Sequence, residues 1–342
     1  MTPRTGAALL ACFPEDEGSL DVNADEVVVT TAVENYIDML LPDEERVERF
    51  GLTRHFDPKT SNPLCEAGIA LHVTVRWGRY AYRILFDTGM TSRVLLHNFS
   101  ALGENPHDLD HVVISHGHPD HYGGLLGLLE ERDHDLPLSV GVGAFEPRYL
   151  RLASGQIAPY YNQKLSESAI DARGGGLVLH SEPLEIGPAS FATGAIPREV
   201  PFEVPPTRID TDNALIRLVD GVMVPDDVPD DQALVVNLGD DAILVFVGCS
   251  HAGIVNTLRR AMALSGRARI AGVFGGFHLG FPGTPREKID GTLTALGEMD
   301  IELICPMHCT GLGPISRLRE RFGERLVVYS TGTTVRFPDP RQ

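Results

Sequence analysis

Lysine is nearly missing from this chain. Of 29 basic residues only Lys59, Lys164 and Lys288 are lysines, 47 residues are acidic, and the formal net charge is −18. So acidic a surface argues against nucleic acid or an anionic membrane as a general partner, while leaving room for a local arginine pocket that grips a phosphate or carboxylate. Cysteine is scarce as well: Cys12, Cys65, Cys249, Cys305 and Cys309 are too few and too scattered for a disulfide scaffold. Their odd number fits reduced thiols in a cytoplasm. No run of about 18 apolar residues occurs, so no membrane-spanning helix is expected. What remains is a chain of 342 residues, 43% hydrophobic, long enough for one large or two small domains. Its expected partner is a small molecule, and a homo-oligomer is left open.

Against this plain background stands His116-Gly-His118-Pro-Asp120-His121, four strong divalent-metal ligands within six residues. Leu109 to Ser115 (L-D-H-V-V-I-S) reads as a buried strand, and Tyr122 to Glu130 (Y-G-G-L-L-G-L-L-E) as a packed helix. The ligands therefore fall on a strand-to-helix loop. Alternation along an extended backbone lets His116 and His118 grip one ion, while Asp120 and His121 at the helix start turn toward a second. The competing reading is a solvated, His-rich turn.

Around this loop the chain reads twice as a hairpin followed by strand-helix units. Residues 1–25 look like a loosely docked arm. Within it Gly6 to Cys12 (G-A-A-L-L-A-C) ends like a lipoprotein cleavage site, but the apolar run is short and Arg4 is the only upstream charge, so export is not expected. A strand is expected at 26–31 and a helix at 33–41. A hairpin from Ile69 to Phe86 then ends in Asp87-Thr88-Gly89. Residues 143–231 lose periodicity and are dense in glycine and proline, which predicts a loop-rich substrate region. Strands at 233–238 and 242–247 follow, then helices and strands in alternation up to a last strand at 326–329. The pattern predicts a single domain over 26–335, built of halves at about 26–145 and 176–335. Two sheets would pack face to face with helices outside and ligand-bearing strand ends at the seam.

Three more ligand clusters follow predicted strands in the second half: Gly248-Cys249-Ser250-His251, Gly275-Gly276-Phe277-His278 and Pro306-Met307-His308-Cys309. One histidine after a strand is usually structural. Three of them, facing a four-ligand loop from the other half, are what a dinuclear site between the halves requires. Cys249 is a candidate soft ligand, with a small buried hydrophobe as the alternative. A zinc knot of Cys305, His308 and Cys309 lacks an evident fourth ligand. Asp87 is placed to orient a ligating imidazole or the loop backbone, though a plain turn-forming role explains Asp-Thr-Gly nearly as well.

With F-D-T-G, S-H-G-H-P-D-H, G-C-S-H and a late histidine, the chain resembles the metallo-β-lactamase fold superfamily over about residues 68 to 335. Within that superfamily D-D-Q-A-L (230–234), G-C-S-H-A-G-I-V-N (248–256), G-G-F-H-L (275–279) and P-M-H-C-T-G are similar to the dihydropterin-ribofuranosylaminobenzene phosphate synthase-like branch. That branch is named for a methanopterin-pathway condensation, yet most of its bacterial members are called metal-dependent hydrolases. The resemblance implies an α/β fold, an αββα sandwich of two mixed sheets, with a dinuclear zinc-type site; manganese or iron are alternatives. It places His116 and His118 on the first ion, Asp120 and His121 on the second, and His308 as the late histidine. The chain departs from the superfamily pattern in two ways. Only His134 and His180 stand where a further histidine is usual, and Cys249 replaces the usual bridging aspartate, with His251 two residues on.

The chemistry expected from these residues is metal-assisted hydrolysis of a phosphoester, ester, lactone or amide. Asp120, His251 and His278 are the candidate catalytic groups. His116, His118, Asp120, His121, His251, His308 and Cys249 are the candidate ligands. Arg148 in G-A-F-E-P-R and Arg198 in T-G-A-I-P-R are candidates for gripping an anionic substrate. The alternatives are a transferase that joins a pterin-type pyrophosphate to an aromatic amine carrying ribose phosphate, a di-iron redox protein, and a non-catalytic metal-binding module.

Overall fold

The computed structural model describes residues 22–161, 165–203 and 214–338. The lipoprotein-like stretch and most of the expected arm lie outside the described residues. Ala24, at the end of that arm, makes a parallel bridge to Leu238.

Two large sheets carry the fold. The first has eight strands in the order Val47–Glu48, Thr334–Pro338, Glu26–Val33, Ala70–Trp77, Tyr80–Phe86, His111–Ile114, Leu136–Gly141 and Gly175–His180. The second has six: Leu184–Gly187, Ser190–Ala192, Ala233–Leu238, Ala242–Val247, Arg269–Gly276 and Ile301–Met307. In each sheet a hairpin feeds a parallel run. Tyr80–Phe86 is followed in parallel by the next three strands of the first sheet, and Ala242–Val247 by the last two of the second. Parallel strands bring their C-terminal ends to one edge, so Asp87, His116, Cys249, His278 and His308 all emerge there.

The sheets are welded by side chains that alternate inward. Val27, Val29, Leu71, Val73 and Phe86 from one meet Leu234, Val236, Leu244, Phe246 and Phe274 from the other in a single buried cluster. Outside the first sheet lie the helices Ser92–Leu102 and Leu125–Glu131 on Leu85, Val112, Ile114 and Leu138. Outside the second lie Ile254–Ser265, Arg286–Glu298 and Leu312–Phe322 on Val235, Val245, Ile270 and Val273. The layers are helix, sheet, sheet, helix: the αββα sandwich. Among the described residues no helix is long and apolar enough to cross a membrane.

Several elements differ from the sequence reading. The helix expected at 33–41 does not form, because Glu34 and Asn35 turn their side chains into the second half instead. Residues 143–231 hold a third sheet of four short strands, Val222–Pro225, Leu215–Val219, Arg148–Arg151 and Ile157–Pro159, whose brevity conceals the period of two. The strand expected at 326–329 reduces to one bridge from Leu326 to Ile304. Strands Gly175–His180 and Thr334–Pro338 form at the two ends of the span read as the second half, where the sequence reading has no strand, and both hydrogen-bond into the first sheet. Helix Ser92–Leu102 has no counterpart in the sequence reading, although its ends carry ordinary signals: Thr91 caps the Val94 N–H and Gly103 closes the helix at φ +78°.

Candidate metal centre

The His-Gly-His-Pro-Asp-His loop leaves strand His111–Ile114 and enters a one-turn helix, Pro119–Tyr122, with proline at its first position. His116, His118 and His121 are buried, and the His116 ring centroid lies 4.6 Å from that of His118 and 4.1 Å from that of His121. Carboxylates stand behind the rings. Asp87, at φ +59° after strand Tyr80–Phe86, accepts hydrogen bonds from the Ser115 N–H and hydroxyl, both at 2.7 Å, and from His121 Nδ1 at 2.6 Å. This fixes the His121 tautomer and leaves Nε2 facing the seam, 3.3 Å from Cys249 Sγ and 3.8 Å from Asp120 Oδ2. Asp226 takes the Nε2 side of His118 at 3.2 Å, so Nδ1 is the nitrogen left for another partner. Burial opposes charge on Asp226, but the hydrogen bond from His118 and the Arg148 guanidinium outweigh it and lower the carboxyl to about 2.

The second half meets this loop across a tight seam. A Cβ on Gly248 would lie 2.0 Å from Ser115 Oγ, so only glycine lets strand Ala242–Val247 deliver Cys249 this close. The His251 ring lies 4.7 Å from His116 and 4.8 Å from His118, and His278 lies 4.4 Å from His251. His308 leaves strand Ile301–Met307 at φ +48°. Its Nε2 is 3.1 Å from Asp120 Oδ2, its Nδ1 is 3.1 Å from Asn35 Oδ1, and its N–H donates to Glu34 at 3.0 Å.

Two ligand triads result, each with its donor atoms within 4.8 Å of one another: His116, His118 and His251, and Asp120, His121 and His308. Cys249 falls between them, forming a third such group with His116 and His121. The donor set suits divalent cations. His116 Nε2 and His251 Nε2 are buried without any hydrogen-bond partner, which would cost about 1–3 kcal/mol each unless something binds them. Burial, reinforced by the neighbouring histidines, pushes both imidazoles well below the usual histidine value, so they are neutral donors. In the other triad burial again opposes the charge on His308, but the Asp120 hydrogen bond and the neighbouring Cys309 and Glu34 lift it to about 9. That carboxylate is itself held far below its ordinary range, against its burial, by His121, His308 and His118. The second triad thus attracts positive charge, as a cation site must.

Both arginines expected to grip substrate are committed to protein. Arg148 is buried, with Nε 2.8 Å from Asp226, Nη2 2.6 Å from Asp230 and Nη1 on the Gly117 and Ala144 carbonyls, while Asp230 also takes the Gly117 N–H. It clamps the metal loop from below. Arg198 donates to the carbonyls of His251, Asp227 and Val228. His134 is exposed beside Asp133, His180 bonds the Glu182 carbonyl, and Cys305 lies in the core between the sheets, so the Cys305–His308–Cys309 knot does not form. Sequence reasoning missed Glu34, Asn35, Ser115 and Asp226. The acidic run Asp226-Asp227-Val228-Pro229-Asp230-Asp231 was the available signal for the last. A cavity of about 120 Å³ opens beside the loop, lined by Gly117, Pro119, Phe145, Tyr149 and Tyr160 among others. The Tyr160 ring lies 5.4 Å from His118.

Known proteins resemble this chain in sequence and in fold. The chain is 31% identical to 7,8-dihydropterin-6-methyl-4-(β-D-ribofuranosyl)-aminobenzene-5'-phosphate synthase of Methanocaldococcus jannaschii over 79% of its own length and 90% of that protein. It is also 31% identical to an uncharacterised protein of the same organism, over 70% of its own length and 83% of the other's. A solved structure described as a metal-dependent hydrolase of the β-lactamase superfamily superposes with a TM-score of 0.66 at 24% identity, covering 92% of this chain and all (100%) of that one, so the two share a fold. The family profile described as Metallo-beta-lactamase superfamily matches residues 81–308, across both halves of the seam, and the chain belongs to that superfamily.

Proposed function

We propose that the chain is a metal-dependent hydrolase with a dinuclear centre, acting on a small, anionic phosphoester, ester, lactone or amide. The observation that carries this reading is the pair of facing triads, with two buried imidazole nitrogens that no protein group satisfies. His116, His118 and His251 would hold one ion, Asp120, His121 and His308 the other, with the Cys249 sulfur beside the second. Zinc suits this mix of imidazole, thiolate and carboxylate, and manganese or iron(II) suits it less. Bound there, the ions would supply Lewis acidity and lower the pKa of water toward neutrality.

The chain's own residues do the rest. Asp120 stays ionised, and with its side chain 20% exposed it is the carboxylate placed to accept a hydrogen bond from an attacking water. Asp87 and Asp226 hold His121 and His118 in single tautomers. His251 enters this reading as a ligand, not as a proton carrier. The aromatic cavity beside His118 is the place for the substrate's organic part, and among the described residues that line it the one guanidinium, of Arg148, is bound to protein carboxylates, so an anionic group is better met at the ions themselves. Free, buried Cys249, Cys305 and Cys309 fit a reducing cytoplasm.

The test is a screen of phosphodiesters, lactones and amides with the metal-loaded protein. Turnover should vanish in a His116→Ala, His118→Ala double variant together with one bound ion. Turnover that survives complete chelation overturns the reading. A second reading has its own support in the relative named as a synthase: a transferase that joins a pterin-type pyrophosphate to an aromatic amine-ribose phosphate. Release of pyrophosphate only when both cosubstrates are present would favour it over hydrolysis.

A further inference from the structure

The dinuclear reading leaves Cys309 and His278 without work, and both are placed with unusual care. Cys249, His278 and Cys309 emerge from three neighbouring strand ends and bring one donor atom each within 4.8 Å of one another. Cys309 Sγ lies 3.7 Å from the Cys249 carbonyl oxygen. The sulfur occupies the space above Gly276, where a Cβ would come within 2.4 Å of it. His278 Nδ1 is buried and has no hydrogen-bond partner. Ser250, His278 and His308, which flank or carry these donors, all sit at positive φ, between +48° and +53°. Such strain persists in non-glycine residues where a site over-determines the backbone.

Two thiols and an imidazole make poor partners for one another. Cys309 hydrogen-bonds to Cys249 and His278, but sulfur is a weak donor and a weak acceptor, and His278 Nδ1 still has no partner. As thiolates the same two sulfurs would balance the charge of a divalent ion, and sulfur with imidazole selects a thiophilic metal over magnesium or calcium. We propose that Cys249, His278 and Cys309 form a third metal site, for an ion of the zinc class, which shares the Cys249 sulfur with the dinuclear centre. Binding displaces to solvent any proton still carried by either sulfur. The three ligands leave a fourth tetrahedral position for water or a substrate atom. The inference rests on the dinuclear reading only through that shared sulfur.

The test counts ions in fully reduced protein, loaded with zinc or cobalt(II) and desalted. Wild type should hold three equivalents, and Cys309→Ala should hold two. Cobalt adds a second readout: three sulfur–cobalt bonds fall to one in Cys309→Ala, so the thiolate charge-transfer band should drop to about one third. His278→Asn keeps both thiols and should lose the same equivalent, which decides the matter if Cys309→Ala fails to fold. The His116→Ala, His118→Ala double variant should retain the Cys309-dependent ion. If that double variant keeps the wild-type count while Cys309→Ala loses one ion, the third site stands and the dinuclear reading falls. Reduced wild type holding no more than two equivalents, or holding the same number as both single variants, overturns the proposal.

Discussion

The two faces of the seam hold their ligands by different physics. On the first face each imidazole is wired to a charged or hydroxyl partner: His116 to Ser115, His118 to Asp226, His121 to Asp87, with Arg148 binding Asp226 and Asp230 beneath the loop. On the second face only His308 is wired in this way, to Asn35 and Asp120; the rings of His251 and His278 each keep a bare nitrogen, as His116 does on the first face, and positive φ at Ser250, His278 and His308 aims the ligand loops. A wired face is oriented before any ion arrives. A face held by backbone strain leaves its donors unsatisfied until one does. Fixed and waiting donors on opposite walls let a centre stay rigid yet still reward binding.

Breaking the wiring should cost most. Arg148→Ala leaves the buried Asp230 carboxylate without its cation, while Asp226 keeps Arg217 at 3.4 Å. We expect a loss of about 3 kcal/mol, the lower end of the range for halving a buried ion pair, read from the urea midpoint. An unchanged midpoint would mean that the clamp contributes nothing to the first face. Asp87→Asn keeps the shape but loses the anionic acceptor for His121 and Ser115. Metal affinity should fall about 10- to 100-fold in a chelator competition, with far-ultraviolet circular dichroism unchanged. Gly248→Ala attacks the seam itself, since the new methyl would meet Ser115 Oγ and, at 3.1 Å, Asp87 Oδ2. The strain should cost about 1–3 kcal/mol and weaken metal binding on both faces together. If only one face responds, the seam is less shared than its geometry says.

How much of this was legible in the sequence follows the same division. The first-face ligands lie within six residues, and the strand and helix around them have clean periodicity, so local sequence is enough to find them. The second-face candidates each follow a strand, so their places in the chain are legible, but their grouping depends on which strands are neighbours. Cys309 shows this best: in the chain it stands beside His308 and near Cys305, while in the fold its metal-type partners are Cys249 and His278. The outer partners were least visible. Glu34 and Asn35 serve His308 from 273 or more residues away, in a segment whose apolar spacing suggests a helix. No local pattern marks a side chain whose use is set by a strand at the other end of the molecule. Arg148 and Arg198 show the opposite case: arginine in a loop suggests an anion in solution, while here both guanidiniums bond the protein's own carboxylates or carbonyls.

Arg198 carries the smallest effect and the sharpest comparison, because it is a cross-link between the two faces. Its Nη1 donates to the His251 carbonyl at 2.8 Å, and its Nη2 to the Val228 carbonyl at 3.2 Å and to Asp227. It therefore ties the loop that carries His251 to the segment that carries Asp226, the partner of His118. His251 and His118 belong to the same triad, one from each face. Arg198→Ala should cost about 1–2 kcal/mol of stability, the worth of a few partly exposed hydrogen bonds from a charged donor. It should also weaken the first ion more than the second, since the Asp120, His121 and His308 triad does not pass through this link. Arg198→Lys should not restore the difference, because one ammonium lacks the planar fork that spans two loops. Equal weakening of both ions, measured by stepwise titration with a chromophoric chelator, would show that the faces move as one body and that their two modes of support are not separable.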